Sequence, residues 1–197
     1  MRRFIIEWLL GGSKVEEEYL IDLVKEKDET AFESLVEIYK PIIEKFSFQF
    51  GVTPEFIPDV VQETFVKIYQ KAHLFNDGNF TSWVYRISLN VAKDHFRKLK
   101  RDQKLVAKAK LETTLDNKYR YYFEKQEHVI LHECLLELDL KYRAPLILYY
   151  FHDKSYDEIA SILKMRISTV KTRMHRSKNI LKKKFEKYEE QEVSYYG

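Results

Sequence analysis

The stretch FTSWVYRISLNVAKDHFRK at residues 80–98 carries the strongest helical pattern in the chain. At about 100° per residue, one face of the predicted helix collects large apolar side chains, namely Phe80, Trp83, Val84, Ile87 and Val91. The adjoining sector is also apolar and consists of Tyr85, Leu89, Ala92, Phe96 and Leu99. Most of this helix is therefore predicted to be buried. What remains is one polar line, the basic stripe, formed by Arg86, Asn90, Lys93 and Arg97.

The composition of the chain favours helices joined by short connections. Its 197 residues include only 5 glycines and 4 prolines, and alternating runs of Val, Ile and Thr are nearly absent. A chain of this length holds one medium domain or two small ones. We therefore expect an all-α fold.

A charged segment without Pro or Gly, residues 101–125, interrupts the periodic apolar pattern. We predict two small helical domains, over 15–100 and over 126–187, joined by this segment as a polar linker. Residues 1–14 are then an N-terminal extension, and residues 188–197 a polar, frayed tail.

Prolines and a glycine set the expected helix limits in the first domain. Pro41 is expected to open a new helix that Gly51 ends. Pro54 and Pro58 are expected to hold a turn before a helix that begins near Asp59.

Charge is unevenly distributed, although the net charge is only +3. Residues 16–37 are rich in acids, whereas residues 93–110 and 164–187 are strongly basic. This asymmetry favours separate protein-facing and nucleic-acid-facing surfaces. The basic stripe contains no acid, although Asp94 lies at its margin, and it continues into Lys98. We therefore interpret it as a phosphate-facing surface in preference to an ordinary solvated face.

Several classes of protein are not supported by the sequence. Cys134 is the only cysteine, so we expect a reducing cytoplasm and neither disulfides nor a thiolate zinc site. The opening MRRFIIEWLL has a short apolar run, interrupted by Glu7, whereas a bilayer needs roughly 20 residues. We expect no direct membrane insertion. No Walker or Rossmann glycine pattern occurs, and HVILHE at 128–133 lacks a zincin pattern. No catalytic residue, metal or cofactor is predicted.

Residues 155–181, SYDEIASILKMRISTVKTRMHRSKNIL, indicate two helices joined by a tight turn. Ser155 and Glu158 form a capping-box pattern at the first helix, and Ser168 is the expected N-cap of the second. The apolar face of the second helix contains Val170, Met174, Ser177 and Leu181. Its opposite face presents Ser168, Thr172, His175, Arg176 and Asn179, with Thr169 and Lys171 beside it.

Small polar groups near a helix start fit against base edges, and cations further along hold phosphates. This distribution favours a DNA-binding helix-turn-helix, although periodicity alone leaves an ordinary basic helical hairpin open.

With these segments in this order, the chain resembles a bacterial RNA polymerase sigma factor of the extracytoplasmic-function (ECF) group of the sigma-70 family, over about residues 25–185. The segments that carry the resemblance are 31–51, 59–71, 80–98 and 135–181. The family commonly has a glycine where Ser168 stands here, and the N-terminal extension falls outside the resemblance.

The resemblance implies that the chain binds core RNA polymerase and directs promoter recognition, DNA melting and transcription initiation, as in stress responses. It implies polymerase docking through Asp59, Gln62, Glu63, Phe65 and Val66. It assigns the −10 promoter element to Arg86, Asn90, Lys93, Arg97 and Lys98. It assigns the −35 element to Arg166, Ser168, Thr169, Lys171, Thr172, His175 and Arg176.

The resemblance also implies that the loop at residues 75–82 cradles an extruded base, and that the linker runs near the polymerase active centre. It implies an anti-sigma factor as a further partner. For Phe65, a place in the core is an equally good interpretation, and Trp83 is expected in the core rather than against a base.

Two other functions remain open on the sequence alone. A helix-turn-helix regulator that acts without polymerase would share the EIA and TVK features but would not need residues 59–98. A helical adaptor would instead use both basic surfaces to bind acidic proteins.

Overall fold

The computed structural model describes residues 14–76, 78–105, 132 and 134–196. Within these ranges every regular element is an α-helix or a short 3-10 helix, as expected for an all-α fold. No helix in this part of the chain has the length and apolar character needed to cross a membrane.

The chain divides into two compact units, one of Met1–Ser47 with Glu55–Ala109 and one of Phe48–Pro54 with Lys110–Gly197. The division after Ala109 falls within the predicted linker. The grouping of Phe48–Pro54 with the second unit has no counterpart in the sequence prediction. Residues 106–125 of the predicted linker lie outside the described residues.

The first unit is built from α1 (Lys14–Lys25), most of α2 (Glu29–Phe50), α3 (Ile57–Lys71) and α4 (Phe80–Leu105), with short 3-10 helices at Pro54–Phe56 and Ala72–Leu74. Its core contains the fully buried side chains Leu35, Ile43, Phe46, Ile68 and Leu89. Each such side chain contributes about 1.5–3 kcal/mol when it leaves water. The α3 and α4 helices pack against each other.

The predicted buried face of α4 is confirmed by the structure. Phe80, Val84, Ile87 and Val91 are buried, as are the adjoining Tyr85, Leu89 and Ala92. Because these buried side chains cover more than one side of α4, only the basic stripe and its immediate neighbours are left toward solvent.

The prediction of a separate helix after Pro41 is wrong, because α2 runs without a break from Glu29 to Phe50. A proline in a helix lacks the N–H that would bond the carbonyl four residues earlier, here that of Glu37. Pro41 and Lys40 are exposed, so water can satisfy that carbonyl. Gly51 ends the helix, as predicted, with φ +102°, a conformation that glycine adopts without strain.

The next helix begins earlier than predicted. Pro54 opens a 3-10 turn, whereas Pro58 lies in the first turn of α3. The first turn of a helix accepts proline because its N–H groups have no intrahelical partner there.

The second unit contains α5 (Leu140–Tyr150), α6 (Tyr156–Leu163) and α7 (Ile167–Tyr196). Its core includes Leu146, Ile147, Ile159 and Val170. Residues 188–196, predicted as a frayed tail, continue the helix of α7. The reason is local: residues 189–192 are Glu and Gln, which are strong helix formers, and no Pro or Gly interrupts the chain before residue 197.

Arg143 organises the start of the second unit. Its side chain is buried, and it donates hydrogen bonds to the carbonyls of Leu135 at 3.0 Å, Leu138 at 3.1 Å and Phe50 at 2.9 Å, and also to that of Leu136. Burial lowers the pKa of Arg143 to about 10, so it stays protonated at neutral pH. The guanidinium thus holds carbonyls that end one helical segment against those of another.

Candidate functional site

The basic stripe lies along the solvent side of α4. Asn90, Arg97 and Lys98 are exposed, whereas Arg86 and Lys93 are partly buried. The structure therefore keeps the five residues predicted for the −10 element on one helix, and the two exposed cations, Arg97 and Lys98, lie in its C-terminal half.

Asp94, at the margin of the basic stripe, forms ion pairs with neighbouring cations. Arg97 Nη1 lies 2.6 Å from Asp94 Oδ1. Lys67 Nζ of α3 lies 3.9 Å from Asp94 Oδ2 and 2.8 Å from Glu63 Oε1. Part of the positive charge of this surface is thus neutralised within the first unit.

The loop before α4 is fixed by Asn79. Its Oδ1 accepts a 2.7 Å hydrogen bond from Ser82 N, and its carbonyl accepts one from Trp83 N at 3.1 Å. Asn79 therefore serves as the N-cap of α4. Of the predicted cradle, Asn76, Gly78 and Asn79 are exposed, while residue 77 lies outside the described residues.

The aromatic residues around this loop pack on one another. Phe75 is buried, and its ring centroid lies 5.1 Å from that of Phe80 and 5.6 Å from that of Trp83. Trp83 is partly buried, and its ring packs against that of Phe80 at 5.3 Å with the two planes tilted by 34°, which agrees with its expected place in the core. The groups of this loop that can meet a base are consequently amides and backbone rather than Phe75.

Four of the five residues predicted for polymerase docking share the exposed face of α3. Asp59, Gln62, Glu63 and Val66 follow helical spacing and are all exposed. Phe65 is only 7% exposed, and its ring lies edge-on to that of Phe32 at 6.3 Å. Its position matches the core interpretation, although it borders a groove on the same side of the helix.

The predicted capping box at Ser155 is confirmed. Ser155 Oγ accepts a 3.3 Å hydrogen bond from Glu158 N, and Glu158 Oε2 accepts one from Ser155 N at 2.8 Å. Partial burial alone would raise the pKa of Glu158, but the Ser155 hydrogen bonds and the Lys154 charge lower it overall. The box fixes the start of α6.

The turn between the two helices spans Lys164 to Arg166. Lys164 takes the left-handed conformation, with φ 50°, where glycine is the usual residue. The carbonyl of Arg166 accepts hydrogen bonds from Thr169 N and Val170 N. Arg166 therefore occupies the N-cap position, and the prediction of Ser168 as N-cap is wrong because Ser168 already lies in the first turn of α7.

The two predicted faces of α7 are confirmed. Val170, Met174, Ser177 and Leu181 are buried, and Ser177 Oγ donates to the carbonyl of Arg173 at 2.5 Å. The residues predicted for the −35 element that are exposed are Arg166, Ser168, Lys171, Thr172, His175 and Arg176, while Thr169 is partly buried.

Two polar groups on the exposed face of α7 have fixed orientations. Thr172 Oγ1 donates to the carbonyl of Ser168 at 2.9 Å, so its oxygen lone pairs point outward as acceptors. Asn179 Nδ2 donates to His175 Nε2 at 3.2 Å, which leaves the opposite edge of the imidazole toward solvent.

An aromatic cluster with a cation was not predicted from the sequence. Tyr149 and Tyr150 are exposed, and Lys178 Nζ lies 6.0 Å and 5.8 Å from their ring centroids. A hydrogen bond from Lys178 to Tyr150 raises the pKa of the lysine. The sequence feature from which this cluster could have been predicted is the pair of adjacent tyrosines at the end of an apolar run. For Arg143, the signal was a cation directly before the apolar residues 144–148.

His132, one of the two histidines considered for a metal site, has a structural role. Its Nε2–H group donates to the carbonyls of Gln49 at 3.0 Å and Phe48 at 3.3 Å. Burial lowers its pKa to about 4. His128 lies outside the described residues, within which no cluster of possible metal ligands occurs.

Comparison with known proteins gives two family matches along the chain. The description "Sigma-70 region 2" matches residues 35–102, and "Sigma-70, region 4" matches residues 128–181. These ranges contain the α3 and α4 surfaces and the helix-turn-helix, respectively.

Curated relatives extend the similarity over nearly the whole chain. The ECF RNA polymerase sigma factor SigW of Bacillus subtilis is 30% identical over 177 residues, which covers 83% of this chain and 93% of that protein. The ECF RNA polymerase sigma-E factor of Escherichia coli K12 is 26% identical over 184 residues, 88% of this chain and 96% of that protein.

Two solved structures share the fold at 23% identity. CnrH in complex with the cytosolic domain of CnrY has a TM-score of 0.66 and covers 85% of this chain and 96% of its own. The sigma factor RpoE in complex with the anti-sigma factor NepR from Bartonella quintana has a TM-score of 0.65, with coverages of 77% and 94%.

These matches do not favour a regulator without polymerase docking, because region 2 of the family accounts for residues 35–102. Neither do they favour a general helical adaptor. The chain belongs to the ECF group of the sigma-70 family, and it is an RNA polymerase-binding sigma factor that recognises promoter DNA.

Proposed function

We propose that three separate surfaces divide the work of this sigma factor. The exposed face of α3 docks on core RNA polymerase. The basic stripe of α4 and the loop before it engage the −10 element, and the exposed face of α7 reads the −35 element. The domain limits predicted from the sequence, 15–100 and 126–187, are part of this proposal.

The observation that supports this proposal is that both basic surfaces lie on helices whose opposite side is buried in a core. Val91 on α4 and Val170 on α7 are each 0% exposed, on the side of the helix opposite the cations. A side chain on such a helix cannot turn inward without breaking the core. The cations are consequently preorganised for a polyanion, which reduces the entropy lost on binding.

At the −10 element, Arg97 and Lys98 hold the DNA backbone while Asn90 contacts the edge of the duplex. Extruding a base costs a few kcal/mol of unstacking. The amides of Asn76 and Asn79 in the loop before α4 can offset part of this by hydrogen bonding to the extruded base.

At the −35 element, Thr172 and His175 face base edges in the major groove. Both lie within about the first two turns of α7, the part of a recognition helix that enters the major groove. Arg166 and Arg176 hold phosphates on either side, which fixes the register of the helix.

For polymerase docking, the α3 surface combines acids with one aliphatic contact. Asp59 and Glu63 can meet basic groups of the partner, and the 47% exposed Val66 supplies apolar area between polar neighbours. Truncation of such a central apolar contact is expected to weaken docking more than loss of a rim charge.

We also propose where this sigma factor acts, what supplies the catalysis and what inhibits it. The chain acts without catalytic chemistry of its own and needs no cofactor, since polymerase supplies the catalysis. It works in the cytoplasm, where polymerase and genome meet. Both solved relatives named above are bound to partner proteins, one of them an anti-sigma factor. We extend this to the present chain and propose an anti-sigma factor as its inhibitor.

The test is transcription in vitro with core enzyme, followed by start-site mapping and three full-length variants. Val66→Asp should weaken core binding. Asn90→Ala with Lys93→Ala should slow promoter opening at unchanged core affinity, and the exposed Lys40→Ala on α2 is the matched control for loss of a surface charge. Loss of core binding in the Asn90/Lys93 variant would show that the two surfaces are wrongly assigned.

A further inference from the structure

A groove in the first unit lies between the first turns of α2 and the middle of α3. Its volume is about 570 Å³, within the range of ligand pockets. Its apolar lining consists of Phe32, Val36, Phe65, Val66 and Tyr69. Val66 is 47% exposed in the midst of these side chains. The groove is thus an apolar surface that is open to solvent.

One side of the groove is acidic. Glu29 and Glu33 line it, and their spacing of four residues puts both on the same side of α2. Both are exposed, and neither has an ion-pair partner within the part of the chain that the structure describes. Lys27 lies beside the groove, with Nζ 5.9 Å from the centroid of the Tyr69 ring. An occupant with apolar side chains and a cationic end would match this surface.

The N-terminal extension has that chemistry. Its sequence MRRFIIEWLLGGS, residues 1–13, lies outside the described residues and outside both family matches. Arg2 and Arg3 precede six large apolar residues at positions 4–10, which Glu7 interrupts. In helical spacing, four of them fall within one sector, namely Phe4, Ile5, Trp8 and Leu9. Because burial of apolar surface is favourable, these side chains are expected to bind an apolar surface rather than remain in water.

We propose that residues 2–10 bind in the groove of their own chain. The apolar sector meets Val66 and the aromatic lining, and Arg2 and Arg3 approach Glu29 and Glu33. The length of the chain permits this. The 12 residues of α1 span about 18 Å and the three that follow about 10 Å, so residue 14 is within roughly 28 Å of Glu29. The ten residues 4–13 reach about 33 Å when extended and about 20 Å when residues 4–10 are helical. The shorter length is enough because a hydrogen bond from Asp28 N to the carbonyl of Leu23 folds residues 26–28 into a turn, which brings Glu29 closer than that upper limit.

Occupation of the groove would regulate the sigma factor, and this step rests on the proposed function of α3. Val66 and Gln62 belong both to the groove and to the proposed docking surface. The N-terminal extension and core polymerase would therefore compete. The apparent affinity for polymerase falls in proportion to the fraction of chains with an open groove.

The first experiment locates the segment without polymerase. The full chain carries the photo-crosslinker p-benzoylphenylalanine in place of Trp8, and the products are mapped by mass spectrometry. Crosslinks within one chain to residues 29–36 or 62–70 are expected. Val66→Asp should abolish them, whereas Leu74→Asp, also an exposed apolar residue of this unit but outside the groove, should not. Crosslinks elsewhere, crosslinks between two copies, or none would overturn the proposal.

The second experiment measures affinity for core polymerase. Trp8→Asp with Leu9→Asp should tighten binding by about threefold or more, as for a groove closed in about two-thirds of chains. Unchanged affinity would overturn the regulatory step. Val66→Asp tests the docking surface separately when it is added to the Trp8→Asp/Leu9→Asp chain, in which the groove is already open: if core affinity does not fall there, the proposed role of α3 fails, while the crosslinking result still decides whether the groove is occupied.

Discussion

Arg97 Nη1 lies 2.6 Å from Asp94 Oδ1, so the most exposed cation of the basic stripe is held by an acid on its own helix. The pair is solvent-exposed, with 73% of the arginine and 48% of the aspartate side chain accessible. Exposed pairs of this kind add roughly 0–1 kcal/mol to stability. The effect of Asp94 is therefore expected mainly in DNA binding, where its charge opposes phosphate.

Asp94→Asn should strengthen binding of the reconstituted polymerase to promoter DNA. The change frees the Arg97 guanidinium and removes a repulsive charge. We expect the slope of log K against log salt to steepen by about one unit, measured by equilibrium binding across a salt series. Glu37→Gln, an exposed acid of α2, is the control. Equal effects of the two variants would contradict a specific role for Asp94.

The two serines of the helix-turn-helix should differ in their effect on stability. Ser155→Ala removes the N-cap of α6 and should lower the free energy of unfolding by about 1 kcal/mol. Ser168→Ala should change it by less than about half of that, because Arg166 and not Ser168 occupies the N-cap position of α7. Denaturant unfolding of both variants measures the difference. An equal loss in both would restore Ser168 as the cap.

Lys164→Gly should stabilise the chain. Lys164 has φ 50°, and the left-handed conformation costs a side-chain-bearing residue about 1 kcal/mol relative to glycine. Lys164→Ala is the matched control, since it removes the same charge but keeps the strain. If the two variants unfold at the same denaturant concentration, strain at Lys164 is not the cause of any change.

Comparison of the structure with the sequence predictions shows which features of the fold could be predicted from sequence. The buried face of α4 and the two faces of α7 were predictable because helical periodicity directly reports burial. Ser155 was predictable because a capping box is a local pattern. Arg143 was not, since its partners are carbonyls of residues far along the chain, including Phe50. The continuity of α2 through Pro41 depended on solvent exposure of that turn, which local rules do not provide.

The candidate site was predictable to a similar degree. The docking residues of α3 were assigned by the family resemblance, and helical spacing could not decide whether Phe65 lies in the core or on the docking face, because adjacent apolar residues flank the boundary of that face. Asp94 was visible as a neighbour of the basic stripe. Its pairing with Arg97, and its approach to Lys67, required side-chain geometry and tertiary structure.

Stability should increase with pH between about 4 and 6.5 through His132. Burial lowers the pKa of the folded form to about 4 from the ordinary 6.5. In this range the unfolded chain binds a proton that the folded chain does not, so the free energy of unfolding rises with pH, by about 3 kcal/mol in all. His132→Gln should flatten the curve in urea unfolding at several pH values. Substitution of the exposed His73 by Gln should not, and an equal response of both would refute the assignment.

Arg176→Ala should weaken promoter binding by the polymerase holoenzyme through the −35 element. Arg176 is exposed on α7, on the face proposed to meet DNA, and loss of one phosphate contact should reduce the salt slope by about one unit. The weakening should be similar for different −35 sequences, because a phosphate contact carries no base information. Lys40→Ala is the control for general loss of charge. An unchanged slope, or a loss confined to one base pair, would instead make Arg176 a reader of bases.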